Sequence, residues 1–143
     1  MTPKCRVGRV DLTLAQLNEA GGNLFPGLIG VEIESVDDGR VLGRMPLDDR
    51  HMAPNGYLHA AAIVGLADTA CGYGCILGLP EGGIGFTTIE LKTNFLRTAN
   101  AGTITCEATL VHGGRTTQIW DATVTDEQER TLALFRCTQL VLR

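Results

Sequence analysis

The sequence predicts an α+β domain in which antiparallel strands pack against one long helix, and three observations predict it. Between Tyr57 and Leu79, alanine, leucine and glycine dominate and proline is absent until Pro80, the pattern of a helix of five or six turns at about residues 57–78. Beyond that helix the hydrophobic period changes to two, the mark of strands with one buried face. A hairpin pattern precedes the helix and further strands follow it, so the helix has a sheet on which to bury a face.

Taken in order, Thr13-Leu14-Ala15-Gln16 reads as a capping box that opens a short helix, at about residues 12–20, ending near Gly21-Gly22. From Leu28 to Val36 the chain alternates, Val31 and Ile33 against Glu32 and Glu34. Asp37-Asp38-Gly39 then turns it into Arg40 to Leu47, a hairpin. After the long helix, Ile89, Leu91 and Phe95 oppose Glu90, Lys92 and Asn94. Asn100-Ala101-Gly102 is the turn into Ile104, Cys106, Ala108 and Leu110, which oppose Thr105, Glu107 and Thr109. Arg115 to Thr125 and Thr131 to Leu142 complete a meander of three or four strands.

A chain of 143 residues with 44% hydrophobic and 20% charged side chains is one ordinary domain, long enough to bury roughly two-thirds of its unfolded surface. Its 12 Lys and Arg against 16 Asp and Glu give a net charge of −4 with no basic cluster, which speaks against a nucleic-acid groove. Met1 to Asp11 lacks the apolar stretch of a signal peptide, and Asp68 breaks the longest apolar run, so a cytoplasmic protein with no membrane span is expected. The five cysteines, at 5, 71, 75, 106 and 137, read as free thiols. With His51, His59 and His112 they form no metal-ligand spacing, so no metal or cofactor is expected.

From His51 through Pro80 the only side chain ionised at neutral pH is Asp68, in mid-helix. A carboxylate among Leu66, Ala67, Ala70 and Cys71 needs a partner or a raised pKa, and both are common at working sites. At about 100° per residue, Ala61, Gly65, Asp68, Gly72 and Cys75 share one stripe, and His59, Ile63, Leu66, Ala70, Tyr73 and Leu77 form the bulky, sheet-facing one. Interior glycines cost a helix about 1 kcal/mol each relative to alanine. Gly65 and Gly72 are therefore expected to make room for a ligand or a second subunit beside Asp68.

His59 falls at the start of the helix, where the N–H groups of Ala60 and Ala61 present the positive end of the helix dipole to an oxyanion. His59 and Asp68 are separated by about half a turn in angle and about 13 Å along the axis. They cannot meet within one helix. One site using both needs His59 of one chain and Asp68 of another, as a two-fold dimer supplies.

Asn55-Gly56-Tyr57-Leu58-His59, then Leu66-Ala67-Asp68-Thr69-Ala70, then Thr87-Thr88-Ile89-Glu90-Leu91-Lys92-Thr93-Asn94-Phe95-Leu96, and His112-Gly113-Gly114-Arg115-Thr116 together resemble the hotdog-fold acyl-CoA thioesterases, in particular the phenylacetic acid degradation (PaaI-like) family. The likeness runs from about Leu28 to the C-terminus. It implies an antiparallel sheet wrapped around a central helix, a homo-oligomer built as a dimer or a dimer of dimers, and thioester sites at subunit interfaces. It implies hydrolysis of short or medium-chain or aryl-acyl-CoA, with Asp68 as nucleophile or general base and Thr88 orienting the water or the carboxylate. The resemblance also implies that His59 is the family's histidine at the start of the helix and that the N–H of Ala60 is the donor that polarises the thioester carbonyl.

Two departures stand out. Ala60-Ala61 replaces the family's usual glycine pair, and Ala53 stands where many relatives carry Asn or Gln, leaving Asn55 or His51 as stand-ins. Gly56, Tyr57, Arg97, Gly114 and Arg115 are the candidate substrate contacts, the arginines for the CoA phosphates, with Met52 and Phe86 as further acyl-pocket walls. The alternative is a hotdog module that binds acyl-CoA or another apolar ligand without turning it over. The hydratase branch of the fold needs a different helix motif, which is missing here.

Overall fold

The computed structural model describes residues 12–143, so Cys5 and the basic N-terminal segment lie outside the described residues. Thr13 caps helix α1 (Leu14–Gly22) with the expected capping box, its hydroxyl accepting from the Gln16 N–H and the Gln16 side chain accepting from the Thr13 N–H. The helix sits two residues later than the sequence pattern places it. Immediately after it comes an element the alternation conceals. Phe25–Ile29 is a short helix, α2, begun by Pro26 and ended by Gly30, whose φ of 83° is the left-handed conformation that closes helices. Leu28 and Ile29 thus belong to a helix, and strand β1 is confined to Glu32–Asp37.

Strand β2 (Arg40–Pro46), helix α3 (Ala60–Leu77), and strands β3 (Gly85–Phe95), β4 (Thr103–Gly113), β5 (Thr117–Thr125) and β6 (Thr131–Leu142) complete the fold. All six strands form one antiparallel sheet in the order β1-β2-β4-β5-β6-β3. The expected meander therefore covers only β4, β5 and β6. β3 does not pair with β4 through a turn at Asn100-Ala101-Gly102. It lies at the far edge beside β6, and residues 96–102 cross back, held by Leu96 and Arg97 N–H groups on the Leu132 carbonyl and by the Leu47 N–H on that of Gly102.

The sheet curls around α3, which starts at Ala60 rather than near residue 57. Ile63, Leu66 and Ala70 are buried as the bulky stripe requires, and they meet Val41, Met45, Ile104, Cys106, Ala108, Ala122, Val124 and Phe135 from the inner face of the sheet. Burial of side chains of this size contributes about 1.5–3 kcal/mol each for the larger ones. By length and composition α3 is apolar enough to cross a membrane, but its apolar surface is that of a core helix packed on the sheet.

The slim stripe is filled by the chain itself. A Cβ at Gly65 would lie 2.7 Å from Ile29 Cδ1 and 3.1 Å from Phe25 Cε1, and one at Gly72 only 2.8 Å from Phe86 Cζ. The space expected for a second subunit or ligand at these two glycines is taken by α2 and by the start of β3. A third glycine, Gly74, admits the ring of Trp120. That indole donates to Gln118 Oε1 at 2.9 Å, and Gln118 in turn donates to the Gly78 carbonyl at 3.0 Å.

Candidate active site

Asp68 is half-buried on α3, and its partner comes from β3: Thr88 Oγ1 lies 2.9 Å from Asp68 Oδ1. Strand periodicity alone would not place Thr88 there. Opposite β6, Leu91 pairs with Cys137, Thr93 with Phe135 and Phe95 with Ala133, so the odd-numbered residues of β3 face the helix. The register then shifts between Thr88 and Glu90, leaving Ile89 as an extra residue. This bulge reverses the phase, so Thr88, opposite buried Gln139, faces the helix as well. Were Ile89 instead paired in a regular ladder, Thr88 would share the outer face with Glu90 and Lys92.

Gln139 is the site residue that motif reading misses. It is wholly buried, with Oε1 2.8 Å from Thr88 Oγ1 and Nε2 3.3 Å from Cys137 Sγ. The signal was present in the strand pattern: among Ala133, Phe135, Cys137, Gln139 and Val141, the inward set of β6, it is the one strongly polar residue. Burial pushes the Asp68 carboxyl above the usual carboxylate range, while hydrogen bonds with Thr88 and Gln139 pull it back down.

His59 is exposed and serves as the N-cap of α3, its Nδ1 accepting from the Ala61 N–H at 2.9 Å. Of the two N–H groups expected to face an oxyanion, that of Ala61 is therefore already engaged, whereas Ala60 remains at the open first turn. With Nδ1 an acceptor, the neutral ring carries its proton on Nε2, pointing away from the helix. Asn55 accepts from the Tyr57 N–H at 3.1 Å and shapes its own turn, where Gly56 takes a φ of 85°. Tyr57 is exposed. His51 is not free to stand in for a side chain at position 53: it is buried, with Nδ1 accepting from the Asp48 N–H and Nε2 donating to the Ile29 carbonyl at 2.6 Å.

The candidate residues divide between the two ends of the sheet. Thr98 Oγ1 accepts from the Leu58 N–H at 2.9 Å, which sets the start of α3 beside Arg97, whose guanidinium reaches the Thr131 carbonyl at 3.0 Å. Arg115 follows the turn in which the Gly114 N–H bonds the Thr117 carbonyl, and neighbouring Thr116 accepts from Val141. Residues 131 and 141 are about 33 Å apart along an extended strand. Within one chain, His59, Ala60, Asn55, Gly56, Tyr57 and Arg97 thus gather at one end, and Gly114 and Arg115 at the other. Thr88 and Asp68 fall on the Arg115 side, since Thr88 pairs with Gln139. Among the described residues no three His, Cys, Asp or Glu side chains converge on a common point.

A profile of the thioesterase superfamily matches residues 55–133. The chain is 36% identical over 110 residues to a 1,4-dihydroxy-2-naphthoyl-CoA hydrolase of Listeria monocytogenes, an alignment covering 77% of this chain and 89% of the relative. A thioesterase of Haemophilus influenzae superposes with a TM-score of 0.88 at 28% identity over 96% of each chain. The PaaI protein of Escherichia coli, from the phenylacetic acid degradation operon, superposes with a TM-score of 0.75 at 28% identity, covering 82% of this chain and 83% of that one. The long core helix inside an antiparallel sheet, with a hydrogen-bonded carboxylate upon it, is the hotdog architecture, and the chain belongs to the thioesterase superfamily of thioester hydrolases.

Proposed function

We propose that this protein hydrolyses acyl-CoA thioesters, of short or medium chain length or with an aryl acyl group, at sites shared between two copies of the chain. The observation that carries the reading is the Asp68 carboxylate, bonded through one oxygen to Thr88 and left with its second oxygen for a reacting group. Water attacks the thioester carbonyl carbon and its proton passes to Asp68, or the carboxylate attacks first and water hydrolyses the resulting anhydride. In both courses the C–S bond breaks, coenzyme A leaves as the thiol after protonation, and the free acid remains.

The developing oxyanion is met by the N–H of Ala60 and the positive end of α3, with His59 Nε2–H as a second donor. No metal or cofactor is called for, since the helix terminus supplies the electrophile. A second copy of the chain brings these donors to Asp68, because one copy holds them at opposite ends. β3 is a long edge strand with Ile89, Leu91 and Phe95 all at least 41% exposed, a surface suited to pairing with another β3. Arg97 of one copy and Arg115 of the other are the cations assigned to the phosphates of coenzyme A.

An aryl acyl group is supported by the phenyl rings of Phe25 and Phe86, which cover Gly65 and Gly72 on either side of Asp68, and by the naphthoyl substrate in the name of the Listeria relative. Thiol release measured across a panel of acyl-CoA chain lengths and benzoyl-CoA tests the reading. Asp68→Asn is expected to lower turnover by about 10²–10⁴-fold, as loss of a proton-transfer group does. Undiminished thiol release in that variant overturns the assignment. Binding of acyl-CoA by the wild type without thiol release would instead favour a module that only binds.

A further inference from the structure

Asp68 terminates a file of polar groups that runs from the site into the core. Thr88 Oγ1 lies 2.9 Å from Asp68 Oδ1 and 2.8 Å from Gln139 Oε1. A hydroxyl carries one proton and cannot donate to both oxygens. Gln139 is fully buried, and its other amide atom lies 3.3 Å from Cys137 Sγ. Cys71 lies in the same buried core cluster as Cys137.

The oxygen and nitrogen of an amide exchange places by a half-turn that leaves the shape of the side chain unchanged, so hydrogen bonding decides which faces Thr88. With the oxygen there, two acceptors contest one proton while the amide N–H has only a weak acceptor, sulfur. With the NH2 there, every group in the file is a donor to the next.

We propose that Gln139 is a positioning residue for the hydrolysis: its NH2 donates to Thr88 Oγ1, its carbonyl accepts the Cys137 S–H, and the single Thr88 proton is thereby committed to Asp68. The donation runs one way, from Cys137 to Gln139 to Thr88, and ends on the carboxylate, the one member that only accepts. A hydroxyl that accepts a hydrogen bond is a stronger donor, so Gln139 strengthens the bond that holds Asp68 ionised and oriented. The inference rests on reading Asp68 as the acting carboxylate.

Gln139→Met keeps an unbranched side chain of similar size and removes the amide. With benzoyl-CoA as probe, kcat is expected to fall about tenfold with KM unchanged, and the acid limb of the kcat profile to move to higher pH. In a Thr88→Val background the same substitution is expected to move the acid limb no further. An unmoved acid limb in Gln139→Met, or an equal added shift in Thr88→Val, overturns the relay.

A measurement on the unaltered residue decides the matter even where Gln139→Met does not fold. The side-chain NH2 resonances of Gln139 are expected to follow the ionisation of Asp68 with pH, and to lose that dependence in Asp68→Asn and in Thr88→Val. Resonances that ignore pH in the wild type refute the proposal. Full thiol release by Asp68→Asn would refute the reading of the active site instead, while the NMR titration still reports on the hydrogen-bonded file.

Discussion

Asp68→Asn is expected to make the protein more stable at neutral pH while it removes the activity. Burial holds the Asp68 carboxyl above the ordinary range despite the hydrogen bonds from Thr88 and Gln139, so the folded chain binds that proton more tightly than the unfolded chain. The resulting stability is fully present below the unfolded pKa of about 3.9 and is lost as pH rises through the raised folded value. Above that window the ionised carboxylate is a net cost, about 1.4 kcal/mol for each tenfold by which folding tightens its hold on the proton.

Asp68 is partly exposed and solvent screens it, so the discounted expectation is about 1 kcal/mol. Asparagine keeps an oxygen for the Thr88 hydroxyl and carries no charge. In a chain of 143 residues this corresponds to a rise in Tm of about 2–4 °C. Calorimetry of both proteins from pH 4 to pH 8 is the assay. The two Tm curves are expected to approach each other at the acid end, to separate as the carboxylate ionises, and to run parallel above. A variant no more stable than the wild type at pH 7, or an offset that ignores pH, would refute the reasoning.

His59→Ala removes the N-cap of α3 and is expected to cost about 1 kcal/mol; His59→Asn restores the cap but not the imidazole, so thermal denaturation is expected to recover while thiol release does not. Gly74→Ala reverses the usual helix preference. An alanine in an open helical position gains about 1 kcal/mol, but here its methyl enters the Trp120 ring, which Gln118 pins in place. Overpacking of this kind costs about 1–3 kcal/mol, so urea denaturation is expected to show a net loss, in contrast to Gly22→Ala, where a methyl meets nothing within 4 Å.

What the sequence discloses is each element's own pattern. Thr13 and Gln16 announce the cap of α1, and the spacing of Ile104, Cys106 and Ala108 announces a strand with one buried face, because both signals are carried by neighbouring residues. Partners separated by long stretches of chain are different. The change of direction that sends β3 to the far edge depends on pairing with β6, about forty residues later, and no local pattern encodes it. The same holds for α2: Val31 and Ile33 alternate with acidic residues, yet Pro26 and the left-handed Gly30 bound a helical turn just upstream.

Asp68 was legible because a lone charge in an apolar helix requires an explanation. His51 was misleading because a histidine looks the same in sequence whether its nitrogens are free or, as here, both bonded to main-chain groups. Gly65 and Gly72 signalled close approach, but a glycine does not name what approaches, and Phe25, Ile29 and Phe86 arrive from outside the helix.

The extra residue at Ile89 separates two histories within one strand. Downstream of it, Leu91, Thr93 and Phe95 keep the phase that β6 demands; upstream, Thr88 keeps the phase that Asp68 demands. Each half can therefore accept substitutions without disturbing the other, and position 89 itself, 56% exposed, has little packing to lose. Loss of that single residue would close the bulge and leave Thr88 opposite Gln139, still on the inner face, with the rest of the strand in register. When this strand is aligned with one that lacks the bulge, the gap belongs between 88 and 90. An ungapped alignment would set the active-site threonine against a residue of the outer face and hide the equivalence.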